Sequence, residues 1–151
     1  TRMIMVSSCL LGIHAKYDGT LTNKNDLLIK YAHLGKYLPV CPEQLGGLPT
    51  PRPPAEITGD AVISSNGEDV TYQFKKGAQQ CLYLTSVFSV KAAILKERSP
   101  SCGVHKVYDG SFSQVVRDGK GITAALLSEI GIPVYSEEDL TKELLCELLE
   151  L

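Results

Sequence analysis

Short, mostly apolar runs alternate along the chain with longer stretches in which apolar residues recur every three or four positions. The runs fall at 3–6, 36–41, 90–95 and 132–135 and are rich in β-branched residues. They do not alternate with polar positions, which is the pattern of strands buried on both faces of a parallel sheet. "NKNDLLIKYAHLGK" (23–36) puts Leu27, Leu28, Tyr31 and Leu34 on one stripe, offers Asn or Asp as a cap and reaches Gly35 as a stop, predicting a helix. Helices are also predicted over 70–89 and 121–131. A last helix over 136–151 opens at Ser136 with Asp139 three residues later, a capping-box variant.

Alternating strands and helices imply a layered α/β fold with right-handed crossovers. The stretch 42–70 breaks the rhythm, being rich in Pro and Gly and carrying "AVIS" and "DVT" on either side of Asn66–Gly67. It predicts a long functional loop followed by a small β excursion near 55–72. "KYDG" at 16–19 and "VYDG" at 107–110 each follow a cysteine, a faint internal echo whose composition also suits ordinary turns.

A length of 151 residues predicts one domain over 1–151 with its own core. Hydrophobic content of 44% with 21% charged residues is globular, and no stretch has the apolar length of a membrane span. No signal-peptide pattern is present, so the expected location is the cytoplasm. A net charge of −2 gives no basic field for nucleic acid phosphates. Five cysteines in a reducing compartment cannot pair fully and point to packing, catalysis or metal binding instead of a disulfide framework.

Cys9, Cys41 and Cys102 each stand at or just after the carboxyl end of a predicted strand, where ligands gather in open parallel sheets. Each is followed by a glycine (Gly12, Gly46, Gly103) that suits a loop wrapped around an inorganic group. Cys81 and Cys146 fall in helix interiors, where a thiol packs as a small hydrophobe. Three converging thiolates favour zinc or an iron–sulfur cluster over magnesium or calcium. On a four-iron cluster they leave one iron open as a Lewis acid. On zinc, His105 is the available fourth ligand, although the spacing lacks the paired Cys-x-x-Cys of a structural site.

Glu43, two residues after Cys41 in a Pro-constrained loop, is the candidate acid or base, its alternative being an exposed solvating carboxylate. Ser8, Ser99 and Ser101 adjoin the cysteines and suit hydrogen bonds to sulfur, to substrate or within the turn. Arg52 either clamps an anion or solvates its loop. "RDGKGIT" places glycines before a helix whose amino end suits an anion or a polar ligand edge. His14 and His33 are read as surface residues. A cysteine-nucleophile hydrolase using Cys102 with His105 leaves Cys9 and Cys41 unexplained.

Together, "VSSCLLG", "KYDG", "PVCPEQLGGLPTPR", "SPSCG", "YDG" and "GITAALL" resemble the short single-domain bacterial family that includes the thiouracil desulfurases, over about residues 4–136. The resemblance implies a Rossmann-like three-layer sandwich and an oxygen-sensitive [4Fe-4S] cluster held by Cys9, Cys41 and Cys102. It implies non-redox removal of sulfur from 2-thiouracil or a related thiolated pyrimidine, the open iron taking the sulfur. By the same analogy Glu43 and either Ser99 or Ser101 assist proton transfer. A free base, a nucleoside and thiolated RNA all remain as substrates, and the sulfur acceptor is undefined. The competing class is a non-catalytic metal-binding or redox-sensing module using the same thiols for zinc or a labile cluster.

Overall fold

A computed structural model describes residues 2–20 and 24–151. The chain runs β1 (Met3–Ser7), α1 (Asp26–Lys30), β2 (Tyr37–Val40), α2 (Pro42–Leu45), β3 (Ala55–Thr58), β4 (Ala61–Ser64) and α3 (Thr71–Val87). It continues with β5 (Val90–Leu95), β6 (Lys106–Tyr108), β7 (Val116–Asp118), α4 (Ile122–Glu129), β8 (Val134–Ser136) and α5 (Lys142–Leu149). Among the described residues, β2, β1, β5 and β8 form, in that order, one sheet whose neighbours all pair in parallel. β2 is an edge strand and tolerates Pro39, which lacks an amide donor.

The sheet is buried on both faces, as its apolar runs predict. Met5, Ala93 and Leu95 face a cluster with Cys81 of α3 and Ala124 and Leu127 of α4. Their neighbours Ile4, Val6 and Ile94 face the opposite way, onto Leu28 of α1 and Leu145 and Leu149 of α5. Helices on both sides of a parallel sheet make a three-layer α/β sandwich of Rossmann-like type. Full burial of a Leu or Ile side chain contributes about 1.5–3 kcal/mol, so these two clusters hold the layers together. Among the described residues, no helix is long and apolar enough to cross a membrane.

A third cluster joins Ile57, Val62, Val70, Phe74 and Val107, seating the β3–β4 hairpin against α3 and β6. The β excursion thus lies where the sequence places it, with a different partner. "AVIS" pairs antiparallel with the preceding "AEIT", while the segment after Asn66–Gly67 adds a single bridge from Asp69 to Ile63. The β6–β7 hairpin and the short α2 were not predicted.

Two predicted helices are shorter than their patterns. The 23–36 segment forms α1, capped by the Asn25 side chain, and then a 3-10 turn at Ala32–Leu34; Asn23 lies outside the described residues. The Leu28 carbonyl explains the break: it accepts from Tyr31 N at 3.2 Å and from the Tyr37 hydroxyl at 2.9 Å, contacts that displace the regular helical bond. At the carboxyl end, Ser136 and Asp139 do bond each other's turn, with Asp139 Oδ2 accepting from Ser136 N at 2.9 Å. The helix itself starts only at Lys142, with Thr141 as its cap accepting from Leu144 N at 3.1 Å.

Candidate active site and metal centre

The carboxyl ends of β1, β2, β5 and β8 open onto one cavity of about 860 Å³. It lies where the strand order turns back from β2 to β5 on either side of β1, the crevice in which open α/β sheets bind ligands. Cys9, Cys41 and Cys102 all line it, as do Glu43 and Ser99. Residues separated by most of the chain therefore share one space.

Each cysteine arrives by a different local device. Cys9 sits in a 3-10 turn that follows β1 directly and ends at Gly12, whose φ of 90° is left-handed. Cys41 is the N-cap of α2, with Pro42 in the first turn. Cys102 comes from the long connection after β5, organised by Glu97. This carboxylate, only 3% exposed, accepts through Oε1 from Val104 N at 2.8 Å, His105 N at 2.9 Å, Lys106 N at 3.0 Å and Arg98 N at 3.4 Å. Inside the loop, Ser99 Oγ accepts from Ser101 N at 3.1 Å and from Cys102 N at 3.0 Å.

The amino end of α4 completes the loop. Ile122 N donates to the Pro100 carbonyl at 2.9 Å, and Thr123 N to the Ser101 carbonyl at 2.8 Å. The predicted anion site at "GKGIT" is therefore occupied by the cysteine loop's own carbonyls. Glycine is required there for clearance: a Cβ on Gly121 would lie 2.4 Å from the Ser101 carbonyl carbon. Gly46 has a right-handed φ of −79°, and its role too is close approach, since its Cβ would meet the Gln73 carbonyl at 1.9 Å where α2 crosses α3 at Gly77. Of the three glycines that follow these cysteines, only Gly12 has a positive φ.

Glu43 projects from α2 beside Cys41, and its Oε1 accepts from Arg52 Nε at 3.0 Å. Arg52 is buried, with Nη2 donating to the Ala15 carbonyl at 2.9 Å and lying 4.0 Å from Cys41 Sγ. Nη1 donates to Thr50 Oγ1 at 2.8 Å and to the Pro49 carbonyl at 3.2 Å. Of the two readings the sequence left open, Arg52 is a clamp, on a carboxylate of its own chain. Glu43 lines the cavity while Arg52 holds its Oε1.

The serines separate. Ser99 lines the cavity, whereas Ser101 is fully buried outside its lining and shares a 2.8 Å hydrogen bond with Thr123 Oγ1. Ser7 and Ser8 also line it. His105 is absent from the lining; its Nε2 bonds Asp139 Oδ2 at 2.7 Å on the surface, away from a role as Cys102's base. Cys146 lies with Tyr31, 3.8 Å from its hydroxyl. Cys81 is fully buried in the cluster that contains Cys102.

Burial pushes the Cys9 thiol up to about 11, with Lys96 pulling the other way. Burial also raises Cys41, opposed by backbone N–H groups and Arg52, and raises Cys102, opposed by a Ser7 hydrogen bond. Such thiols give up protons when a metal centre takes them. The donor set fits a cluster better than one ion: a tetrahedral zinc needs sulfurs about 4 Å apart. Among the described residues, no three His, Cys, Asp or Glu side chains stand close enough together to hold a single metal ion. Three soft donors from three strand ends, ringing a roomy cavity, match the larger iron–sulfur unit.

Sequence reasoning missed Glu97 and Glu56. Both are buried carboxylates that shape loops through backbone N–H groups, a role carrying no short motif. It also missed the β6–β7 hairpin, whose Tyr108, Phe112 and Gln114 form part of the cavity wall.

The profile of the 2-thiouracil desulfurase family matches residues 4–139. An uncharacterised protein of Bacillus subtilis strain 168, YbbK, is 41% identical, the match covering 91% of this chain and 97% of that protein. Among solved structures, the [4Fe-4S]-dependent thiouracil desulfidase TudS superposes with a TM-score of 0.92 at 43% identity, each chain covered in full. With the fold, the convergent cysteines and these matches in agreement, the chain belongs to the 2-thiouracil desulfurase family.

Proposed function

We propose that the protein is a [4Fe-4S]-dependent desulfurase that replaces the sulfur of 2-thiouracil, or a related thiolated pyrimidine, by the oxygen of water. The observation that carries this reading is the meeting of Cys9, Cys41 and Cys102 with Glu43 around one cavity. Similarity to TudS over the full length supports it.

Cys9, Cys41 and Cys102 are the residues that would hold the cluster. Bound by these three thiols alone, the cluster would supply a Lewis-acidic position for sulfur. Glu43 is placed to take a proton from the incoming water at the carboxylate oxygen that Arg52 does not engage. Arg52 fixes that carboxylate through a guanidinium whose other donors are tied to Ala15, Pro49 and Thr50. Ser99 lines the cavity, which supports assigning it, and not Ser101, to orienting the ring; Ser101 is bonded to Thr123 within the loop. The reaction consumes water and releases sulfide, with no change in net oxidation state.

Charge around the cavity narrows the substrate. Arg52, Lys96 and Arg98 pair with Glu43, Glu137 and Glu138, so three of its cations are already matched. Such a lining suits an uncharged base or nucleoside over a phosphate backbone. Five unpaired cysteines suit a reducing compartment, and the cytoplasm is the location we assign.

The test is anaerobic reconstitution followed by incubation with 2-thiouracil. Its ultraviolet absorption gives way to that of uracil; a spectrum unchanged over hours with fully loaded protein contradicts the reading.

A further inference from the structure

The hairpin tip between β6 and β7 holds a bulky residue in a conformation that suits glycine. Phe112 has φ of 57° and Gln114 has φ of 60°, both left-handed. A side chain there crowds its own backbone, and for a bulky residue such a conformation is an outlier of the kind that clusters at active sites and ligand clamps. Burial does not compensate, because Phe112 is 40% exposed and belongs to none of the three apolar clusters among the described residues.

The chain nevertheless fixes this tip. Glu56 of β3, 8% exposed, accepts through Oε1 from Gly110 N at 3.0 Å and Phe112 N at 3.1 Å. Asp109 Oδ1 accepts from Ser111 N at 2.9 Å and from its hydroxyl at 2.6 Å. The result is to set Phe112 in the wall of the cavity that holds the three cysteines. Tyr108, from the same hairpin, lines it too.

The Tyr-Asp-Gly echo in the sequence proves to be structural. Asp18 Oδ1 accepts from Thr20 N at 3.0 Å and from its hydroxyl at 2.6 Å, the same turn as at Asp109. Both glycines are left-handed, Gly19 at 73° and Gly110 at 95°. Each turn follows a tyrosine, Tyr17 or Tyr108, that lines the cavity. The rim is thus aromatic at Tyr17, Tyr108 and Phe112. Aromatic faces attract planar heterocycles, whose ring stacks without needing charge.

We infer that Phe112 is the stacking wall for the substrate's planar ring, held against its backbone preference by Glu56 in the lining of a cavity whose other aromatic residues are Tyr17 and Tyr108. This rests on the thiopyrimidine reading and adds the residue that selects a flat ring.

The test compares Phe112→Gly, Phe112→Leu and Phe112→Tyr in the reconstituted holoenzyme. Glycine takes the left-handed φ freely, so Phe112→Gly keeps or raises Tm and retains full iron and sulfide, while KM for 2-thiouracil rises about tenfold and kcat falls far less. Phe112→Tyr restores KM and Phe112→Leu does not. An unchanged KM in Phe112→Gly, or restoration by Leu as well as by Tyr, overturns the inference. If the wild-type holoenzyme leaves thiouracil intact, the proposed reaction fails on its own. Stacking is then decided by saturation-transfer NMR with uracil: binding by wild type that Phe112→Gly loses supports it, and equal binding by both, or none by wild type, overturns it.

Discussion

Arg52 and Glu43 form an ion pair at 3.0 Å in which only 3% of the arginine side chain and 16% of the glutamate side chain reach solvent. The pair ties the loop after α2 to the carboxylate beside Cys41. Removing the guanidinium leaves a mostly buried carboxylate without its partner, so Arg52→Ala costs about 3 kcal/mol of stability. Arg52→Lys keeps the charge but loses the fork that reaches Glu43, Ala15 and Thr50 together. Its kcat for thiouracil falls on the order of tenfold to a hundredfold as the carboxylate loses its fixed position. Urea unfolding and steady-state kinetics on the loaded protein read both effects.

Gly121 controls Cys102 from outside the cavity. A methyl group there would lie 2.5 Å from the Ser101 carbonyl oxygen and 2.7 Å from Cys102 N. Gly121→Ala forces the cysteine loop away from α4, costing about 1–3 kcal/mol. Iron incorporation falls although no thiol is touched. Iron per chain after identical anaerobic reconstitution is the measurement, and full loading would show that the loop's seat on α4 does not position Cys102.

Glu97 gives the protein an acid-side dependence. Burial raises its pKa, but the N–H groups of Lys106, His105, Val104 and Arg98 prevail and hold it below the ordinary 4.5. A folded pKa below the unfolded one contributes stability that is complete above the unfolded value and is lost as pH falls through the folded value. Glu97→Gln is therefore less stable than wild type at pH 7, by about 1.5–3 kcal/mol, and the difference closes as pH falls below about 4. Apo-protein unfolding measured across that range checks the sign; a gap that stays constant with pH would deny the carboxylate this role.

The sheet was legible because parallel strands buried on both faces are predominantly apolar, and 3–6 and 90–95, broken only by Lys91, are too short for helices. The cysteines were legible for the same reason: a strand's end predicts where its next residues gather. Helix limits were less so, since the early stop of α1 depends on Tyr37, whose hydroxyl returns to Leu28 only after the chain has turned. Ser99 and Ser101 look alike in "SPSCG", and what turns Ser101 inward is Thr123, twenty-two residues away. Glu97 and Glu56 carry no signal in the sequence because their partners are backbone amides, which every sequence contains. The left-handed φ of Phe112 was likewise hidden, as no residue type announces it.

Ligand identity is the point on which the rest turns. Cys146, which packs beside Tyr31, is the sound control; Cys81 is buried in the cluster that holds Cys102, and its loss would disturb the site indirectly. The direct measurement is iron and acid-labile sulfide per chain, with the visible spectrum, after anaerobic reconstitution of wild type, Cys9→Ser, Cys41→Ser, Cys102→Ser and Cys146→Ser. Near-stoichiometric [4Fe-4S] content in wild type and Cys146→Ser, with loss in each of the other three, is the predicted result. Full cluster content in any of those three, or stoichiometric zinc in place of iron in wild type, would contradict it.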